Sequence, residues 1–440
     1  MKRAGNLTPG LTYETLGKIL KIEKRTIDMI DIYQSFFERI VRMGTLPKYV
    51  AEILKEYQED FPPENEPSSV FYQWIQKDGS LIEMLTIDDT RQQAKCKYSI
   101  QDILFITITA AICGISSFLR MAEFVQYQKS WFEKYIDLSH GAPDGDTIRR
   151  ILNLISPKTT NYISQSIVNQ LTNADNSEHV AIDGKSVKGC YSTIDNRIEH
   201  SVSAWLSGLG VSLGQTTTKD DQGKEEGEYQ AIPKLLQMLD IAGKTVTMDA
   251  GGCYHVLLEP IVQRGGDYIV QVKKNQMVLY NKCVELFSDI PVITGTWEKG
   301  HGRIEKREYT TISFTDDKWS TARSITRVIS TRKTKGQTSV SERYYISSLD
   351  SSVQQDIANK IRSHWSIENQ LHWSLDVTFN EDSQRTRTGN NVENLIIFRR
   401  LGVSLLNIKT GNKKTTSAIH RACFDEQFRS EVIEQVFNSK

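Results

Sequence analysis

Hydrophobic and polar positions along the chain predict a helical first part followed by alternating strands and helices. Residues 12–43 and 70–175 have apolar residues at helical spacing, and from residue 178 onward short apolar runs alternate with amphipathic stretches. The resulting order, β-β-β-α-β-α-β, predicts a mixed sheet with helices against its faces. The uncharged run Ile103–Leu119 predicts a buried core helix, with a short membrane span as the second interpretation.

Residues 291–350 interrupt this alternation with strand-like stretches separated by turn residues. Between Thr296 and Arg343 the segment contains eleven Lys or Arg residues against six Asp or Glu residues. The sequence therefore predicts a basic, β-rich insertion within the α/β part of the chain.

Changes in composition indicate the domain boundaries. Gln58–Ser69 is acidic, rich in proline and poor in hydrophobic residues, which is typical of a linker. We expect a helical region at 1–57, a linker at 58–69, a helical domain at 70–176, an α/β domain at 177–410 and a C-terminal tail at 411–440.

Thr15–Ile30 has small and apolar residues where a helix-turn-helix places its turn and its core. In this interpretation Lys24 and Arg25 are DNA contacts. An ordinary amphipathic helical hairpin is the alternative.

Composition narrows the class of protein. Hydrophobic residues make up 39% and charged residues 25% of the chain, as in a globular protein, and the formal net charge is zero. Binding to a polyanion would therefore depend on local basic patches. The six cysteines include no CxxC pair and the first residues contain no apolar signal segment, so we expect reduced thiols in a cytoplasm.

Two aspartates stand where buried strands are predicted to end. Asp183 follows the apolar Val180–Ile182, and Asp249 follows Val246–Met248. A lone carboxylate there is costly unless it is paired or binds a cation, so a turn or cap role is the alternative for either residue alone. Two such aspartates in one sheet favour a divalent metal site.

Glu368 offers a third carboxylate. With 3.6 residues per turn, His364, Glu368 and His372 form one stripe of a predicted helix. The apolar positions beside the stripe could pack on the sheet: Ile361, Ile367, Leu371 and Leu375.

Three carboxylates without cysteine make an oxygen-rich site that selects Mg²⁺ or Mn²⁺ over zinc. Such a site can hold two ions that stabilise the attacking and leaving oxygens of an in-line phosphoryl transfer. A rival interpretation takes His364, Glu368 and His372 as zinc ligands, although the ends of that stripe are about 12 Å apart. A purely structural stripe is the third interpretation.

Several motifs around these residues resemble one family. AIDGKSVKG, TMDAGG followed by GGDYIVQVKKNQ, HGRIEKREY, and HWSIENQLHWSLDVTFNED followed by TRTGNNVENLIIFRR are similar to the DDE transposases of bacterial insertion sequences. The branch that the chain resembles most includes the H-repeat-associated proteins. KYSIQDILFITITAAICGISSFLRMAEFVQYQKSWF and GAPDGDTIRRIL resemble the helical domain before the catalytic core in that branch, so that the resemblance covers roughly residues 80–410.

The resemblance implies an RNase H-like catalytic domain with a mixed sheet and flanking helices at 177–410, interrupted by the basic insertion and preceded by helical domains. Its catalytic, metal-binding triad would be Asp183, Asp249 and Glu368, spaced 66 and 119 residues apart, with two Mg²⁺ or Mn²⁺ ions. The implied partners are double-stranded DNA, as terminal inverted repeats and as target, and a second copy in a synaptic homodimer. No membrane is implied, and the expected location is the bacterial cytoplasm at the nucleoid.

Three positions depart from the family pattern. Many relatives have Tyr, Arg and Lys at −7, −4 and +7 from the glutamate, where this chain has Ile361, His364 and Leu375. His364 could replace the arginine, and Arg385 or Arg387 could replace the lysine. Further basic residues are candidates for contact with the DNA backbone, with a solvated surface charge as the alternative for each: Lys273, Lys274, Arg303, Lys306 and Arg307.

Taken together, the sequence predicts a DNA transposase that binds the ends of its insertion sequence, cleaves them and joins them to target DNA. The alternatives are an RNase H-like nuclease without strand transfer and an inactive, domesticated DNA-binding protein. Trp297, Trp365 and Trp373 could stack on a base flipped from the element's end, or pack in the core.

Overall fold

A computed structural model of the chain describes residues 91, 96–172, 179–192, 197–218, 226–291, 297–300, 303–334, 337–387, 389–411 and 415–438. The predicted helix-turn-helix at Thr15–Ile30, with Lys24 and Arg25, and the predicted linker Gln58–Ser69 lie outside these residues.

The helical part before the sheet contains a buried helix, α1 (Ile100–Ile112). A capping box starts it: the Ser99 N–H donates to Asp102 Oδ2 at 3.0 Å, and the Asp102 N–H donates to Ser99 Oγ at 2.9 Å. Every residue of α1 except Gln101 is buried, which confirms the predicted core helix. Within the described residues, no helix is long and apolar enough to cross a membrane. The helices that follow are α2 (Phe118–Tyr127), α3 (Lys129–Phe132), α4 (Gly145–Leu152) and α5 (Pro157–Thr172).

A nine-stranded mixed sheet forms the centre of the described chain, with the strand order β3-β2-β1-β4-β5-β9-β8-β7-β6. The first five strands are β1 (His179–Ser192), β2 (Arg197–Leu206), β3 (Val211–Thr217), β4 (Thr245–Met248) and β5 (Asp267–Val272). Helix α6 (Glu228–Gln237) separates β3 from β4, and α7 (His255–Gln263) separates β4 from β5. The predicted order β-β-β-α-β-α-β is therefore confirmed.

Strand polarity follows the length of each connection. β1, β2 and β3 form antiparallel neighbours, whereas β1 pairs parallel with β4 and β4 pairs parallel with β5. Parallel neighbours need a crossover, which α6 and α7 provide. The three parallel strands are consequently in the middle of the core, where Val180, Val246 and Val270 are fully buried.

The predicted β-insertion consists of strands that extend the same sheet. After α8 (Met277–Leu286), the chain forms β6 (Trp297–Gly300), β7 (Arg303–Ser313), β8 (Ser324–Thr334) and β9 (Gln337–Ser347). β9 pairs antiparallel with β5, with Val272 opposite Tyr344. This pairing joins the insertion to the edge that β5 would otherwise leave open.

The segment that carries Glu368 departs from a regular α-helix. Helix α9 (Gln354–His364) gives way to two π-helical stretches, Ile367–His372 and Ser374–Thr378. The prediction of one continuous stripe at 3.6 residues per turn is therefore wrong beyond His364, because π turns are wider. The apolar positions predicted to pack on the sheet are all buried: Ile361, Ile367, Leu371 and Leu375.

The last helices close the core. They are α10 (Asn391–Thr410), α11 (Thr415–Phe424) and α12 (Glu426–Asn438). Ile419 and Val432 from the last two helices belong to the main hydrophobic cluster. The segment 411–440, which we predicted as a tail, thus contains two packed helices.

Candidate active site

The register of the sheet places Asp183 and Asp249 side by side. Ile182 of β1 is opposite Met248 of β4 in a parallel pair, so the next residue on each strand is an aspartate. Neighbouring strands are about 4.8 Å apart, and equivalent positions of parallel strands point to the same face. Asp183 lies within β1, opposite Ser203 of β2, whereas Asp249 directly follows β4 and caps the turn Ala250–Gly252.

The Asp249 carboxylate is held by the chain that follows it. Its Oδ1 accepts a hydrogen bond from the Gly251 N–H at 2.7 Å. This turn directs the chain away from the sheet and keeps the carboxylate at the carboxyl end of β4, where ligand sites of α/β sheets lie.

Burial and neighbouring charges perturb Asp183. Burial of the carboxyl raises the pKa of Asp183 to about 7, and the charges of Glu368, Asp249 and Glu228 add to the rise. Asp183 is therefore within electrostatic range of three other carboxyls. Such a concentration of negative charge is what a bound cation would neutralise.

Glu368 reaches the same region from the helical side. Its pKa is raised first by partial burial of the carboxyl and then by the charge of Asp249, while Lys273 opposes the rise. The residue as a whole is exposed. Glu368 is thus the accessible member of the acidic centre, which we define as Asp183, Asp249 and Glu368.

Two histidines connect the helix of Glu368 to the strands of the aspartates. His372 Nδ1 lies 3.7 Å from Asp183 Oδ2. His364 Nδ1 shares a hydrogen bond of 2.8 Å with Thr247 Oγ1, and the same hydroxyl shares one of 2.9 Å with His179 Nε2. A hydroxyl has one proton, so Thr247 donates to one imidazole and accepts from the other. Both histidines therefore face the sheet.

The histidines of this arrangement are neutral at pH 7. Burial lowers the pKa of His364 to about 4, and burial with several nearby cations lowers the pKa of His372 to about 3. A neutral, hydrogen-bonded imidazole does not replace the charge of an arginine, so the structure favours a positioning role for His364 over the predicted phosphate contact.

The positions of the side chains bear on cation binding. In the part of the chain that the structure describes, no group of three or more His, Cys, Asp or Glu side chains is arranged to hold a metal ion. The zinc interpretation also fails, because His364 bonds to Thr247 and His372 faces Asp183 at 3.7 Å, and the histidines and Glu368 form no metal-binding group. The donor chemistry of the acidic centre still fits a hard divalent cation, because its three side chains offer only carboxylate oxygens.

The predicted DNA contacts fall into different environments. Lys273 and Lys274 follow β5 and are exposed, and Lys273 is close enough to Glu368 to lower its pKa. Lys306 forms an ion pair with Glu308 at 2.7 Å, and Arg307 forms one with Glu305 at 3.0 Å. The remaining candidates are Arg303, which begins β7, and Arg385 and Arg387, which are exposed and precede α10.

The three tryptophans are exposed, so their predicted alternative of core packing is wrong. Trp365 and Trp373 flank the π-helical segment of Glu368, with 39% and 49% of their surface exposed. Lys333 lies 4.6 Å from the ring centre of Trp297, and Arg343 lies 5.7 Å from that of Trp365. Exposed rings next to cations are suited to contact with an anionic ligand.

Sequence reasoning missed Glu228, His200 and Ser186. His200 Nε2 shares a hydrogen bond of 2.8 Å with Glu228 Oε1, and His200 Nδ1 shares one of 2.8 Å with Ser186 Oγ. These residues come from α6, β2 and β1, so no local spacing relates them. The one available signal is Gly227 before Glu228, which marks the start of a helix.

Two protein families match successive parts of the chain. The family described as the transposase DDE domain matches residues 175–406, and the DDE_Tnp_1-associated family matches residues 82–165. A solved structure of the piggyBac transposase synaptic complex with hairpin DNA is similar at a TM-score of 0.38 and 10% identity, over 79% of this chain and 77% of that chain.

Relatives in Escherichia coli are similar over most of their length. "Putative transposase YncI" of strain O157:H7 is 33% identical over 371 residues, which cover 79% of this chain and 94% of the relative. "H repeat-associated putative transposase YhhI" of strain K12 is 32% identical over 80% of this chain and 97% of the relative. "Inactive transposase YbfQ" of strain K12 is 32% identical over 17% of this chain and 88% of the relative. On the match of its α/β part and on these relatives, the chain belongs to the family of transposases with a DDE domain.

Proposed function

We propose that this chain is an active DNA transposase that binds the ends of its insertion sequence, cleaves them and joins them to target DNA. The observation that carries the proposal is the acidic centre: Asp183, Asp249 and Glu368 come from two adjacent parallel strands and a neighbouring helix, in a chain of the DDE family. The strand order 3-2-1-4-5, with the first three strands antiparallel, supports an RNase H-like domain at its core.

Asp183, Asp249 and Glu368 would hold two Mg²⁺ or Mn²⁺ ions. Bound there, the ions would supply Lewis acidity to the attacking and leaving oxygens of a phosphoryl transfer. Two of the three carboxylates would be held rigidly. Strand pairing fixes the backbone of Asp183, and the Gly251 N–H donates a hydrogen bond to the Asp249 carboxylate. Glu368 is exposed on its π-helical turn, so DNA would approach the acidic centre from the side of this residue.

The residues around the centre would position DNA. Lys273 and Lys274 directly follow β5, and Lys273 is close to Glu368. Their positive charges would attract a phosphate of the DNA backbone. Trp365 and Trp373 would provide apolar surface for an unpaired base on either side of Glu368. We also propose a homodimer in the complex with two ends, and a location at the bacterial nucleoid.

A cleavage assay tests this proposal. Purified chain is mixed with DNA carrying the inverted repeats that flank its gene, in Mg²⁺, and cut and joined products are separated on a gel. We expect cleavage and strand transfer, and we expect Asp183→Asn to abolish both while binding to the repeat persists. Asp137→Asn, an exposed aspartate in the preceding helical part, is the matched control and should cut normally.

The outcomes separate this function from its alternatives. Cutting without joined products would indicate a nuclease. Repeat binding by the unaltered chain without any cutting would indicate an inactive DNA-binding protein. Cleavage by Asp183→Asn at the rate of the unaltered chain would contradict the assignment of the acidic centre.

A further inference from the structure

Two cysteines meet where the end of α1 packs against α11. Cys113 directly follows α1, and Cys423 lies in the last turn of α11. The Cys423 thiol donates a hydrogen bond to the Cys113 carbonyl oxygen at 3.0 Å, and the Cys113 thiol donates one to the Ala422 carbonyl oxygen at 3.4 Å. A Cβ atom added to Gly114 would lie 2.9 Å from Ile419 Cγ2, so the two segments are in close contact. Each thiol therefore lies against the backbone beside the other one.

A buried cation lies next to the two thiols. Arg429 on α12 is fully buried, and its guanidinium donates to the carbonyl oxygens of Ala422 and Cys423 at 3.0 and 3.1 Å. Its other contacts are the Gln128 amide oxygen at 2.6 Å and the ring of Trp131, whose centre is 4.4 Å away. Among the described residues no carboxylate forms an ion pair with Arg429, and its Nε has no hydrogen-bond partner. A thiolate formed here would offset part of the cost of this buried charge.

The two thiols differ in reactivity. Cys423 is half-buried, and its hydrogen bond with the Cys113 thiol lowers the pKa of Cys423, while the charge of Arg429 adds to the effect. Cys113 is buried, and burial raises the pKa of its thiol. A thiolate attacks an oxidant, and a neighbouring thiol can then resolve the product. Cys423 thus has the properties of the attacking residue, and Cys113 those of the resolving residue.

We propose that Cys423 and Cys113 are a redox-modified pair, in which a peroxide oxidises the two thiols to a disulfide between α11 and the end of α1. The Cys423 thiolate attacks one oxygen of hydrogen peroxide, the O–O bond breaks, and the leaving hydroxide takes up the proton that Cys423 released. Cys423 is then a sulfenic acid. The Cys113 sulfur attacks the Cys423 sulfur, the S–O bond breaks, and water leaves with the Cys113 proton. The two thiols lose two electrons and two protons, and the peroxide is reduced to two water molecules.

This pair is separate from the acidic centre, and the inference does not depend on the proposed function. Cys113 belongs to the part that matches the DDE_Tnp_1-associated family, whereas Cys423 follows the part that matches the DDE domain. The two residues are 310 positions apart in the chain. A bond that closes so long a loop constrains the unfolded chain, so oxidation should raise the midpoint of thermal unfolding.

The test treats the full, folded chain with hydrogen peroxide, blocks the remaining thiols and identifies joined peptides by mass spectrometry without reduction. We expect a disulfide between Cys113 and Cys423 that dithiothreitol reverses. The matched control is a second cysteine pair of the same chain, Cys253 and Cys283. Both are buried, and burial raises the pKa of each to about 12, with Cys283 adding to the rise at Cys253. These two thiols should stay reduced under the same treatment.

Two variants assign the separate roles. Cys113→Ser should leave a sulfenic acid at Cys423 that dimedone labels, because no thiol remains to resolve it. Cys423→Ser should slow the oxidation of Cys113 by about tenfold or more, because a buried thiol with a raised pKa provides little thiolate. Thermal unfolding is measured before and after peroxide for each chain. The midpoint should rise only in the unaltered chain, since neither variant can form the bond.

Several outcomes would overturn this inference. One is the absence of the disulfide between Cys113 and Cys423 in the treated, folded chain. Another is its formation only after the chain has been unfolded in denaturant, because the folded arrangement would then play no part. Oxidation of Cys253 and Cys283 at the same rate would also contradict it, because reactivity would then be independent of exposure and of the neighbouring Arg429.

Discussion

His372 Nδ1 lies 3.7 Å from Asp183 Oδ2, which connects the π-helical segment of Glu368 to the strand that carries the first aspartate. His364, one turn before Glu368, makes the corresponding contact with Thr247 on the strand that carries the second aspartate. Glu368 is therefore located between two contacts to the sheet. The position of the third carboxylate depends on both of them, because the wider π-helical turns displace Glu368 from the place that a regular α-helix would give it.

Glu368→Gln should stop cleavage without unfolding the protein. The substitution keeps the size of the side chain and removes its charge, and the exposed position makes a large loss of stability unexpected. Glu368→Asp should be impaired as well, since the shorter side chain misplaces a metal-binding oxygen. Cleavage is measured beside thermal unfolding, with Glu434→Gln on α12 as the control. Cutting by Glu368→Gln at a normal rate would remove this residue from the acidic centre.

Thr247→Val should lower the free energy of unfolding by about 1–3 kcal/mol, because two buried imidazoles lose their shared partner. The rate of cleavage should fall by more than the loss of folded protein explains, because His364 no longer fixes the helix before Glu368. Affinity for terminal-repeat DNA should stay constant, because a neutral His364 is not a phosphate contact. Thr311→Val, which removes the hydroxyl pair with Thr326 in the insertion, is the control. Loss of DNA affinity in Thr247→Val would favour the phosphate contact instead.

His179 and His364 should each make the folded protein less stable as the pH is lowered from about 6.5 to about 4, whereas Asp183, whose pKa is raised to about 7, acts in the opposite direction. Burial lowers the pKa of His179 to about 3, with His364 and Lys360 adding to the effect, and burial lowers the pKa of His364 to about 4. In the unfolded chain both imidazoles take up a proton near pH 6.5. At these two residues the unfolded state therefore binds more protons across this window, so their protonation by acid favours unfolding. Denaturant unfolding at pH 7, 5.5 and 4.5 measures the slope, and His179→Gln should make it shallower.

Glu381→Ala should destabilise the fold by about 3–5 kcal/mol, because it leaves two buried guanidinium groups without their carboxylate. Glu381 Oε1 accepts from Arg399 at 3.1 Å and from Arg400 at 3.2 Å, and all three side chains are at least 97% buried. Glu298→Ala is the control. It breaks the exposed pair with Arg362 and should change stability by less than about 1 kcal/mol. Equal losses in the two variants, measured by denaturant unfolding, would contradict this view of the buried cluster.

Replacement of Lys24 and Arg25 by alanine should reduce the preference of the full chain for terminal-repeat DNA over random DNA. Both residues lie in the segment predicted as a helix-turn-helix, where basic side chains contribute to binding. Fluorescence anisotropy with the two DNAs measures the ratio of affinities. Lys129→Ala, which breaks an exposed pair with Glu133, is the control. An unchanged ratio in the double variant would favour the ordinary helical hairpin.

The sequence determined the elements that depend on local pattern. The apolar runs Val180–Ile182 and Val246–Met248 became buried strands, with an aspartate directly after each. Strand order along the chain and the buried helix α1 were also predictable, because apolar spacing reports the period and burial of a single element. Glu368 was a candidate from its stripe with His364 and His372, and the family motifs assigned it to the triad.

Contacts between residues that are distant in the chain depend on the tertiary structure. It made the insertion part of one sheet through the pairing of β9 with β5, it kept His364 neutral against Thr247, and it brought Glu228 to the glycines beside both aspartates. Residues 183, 228 and 249 lie on three different elements, and their distances follow from how α6 packs on the sheet. A one-dimensional period describes the faces of each element, whereas contacts between elements depend on the packing of the whole core.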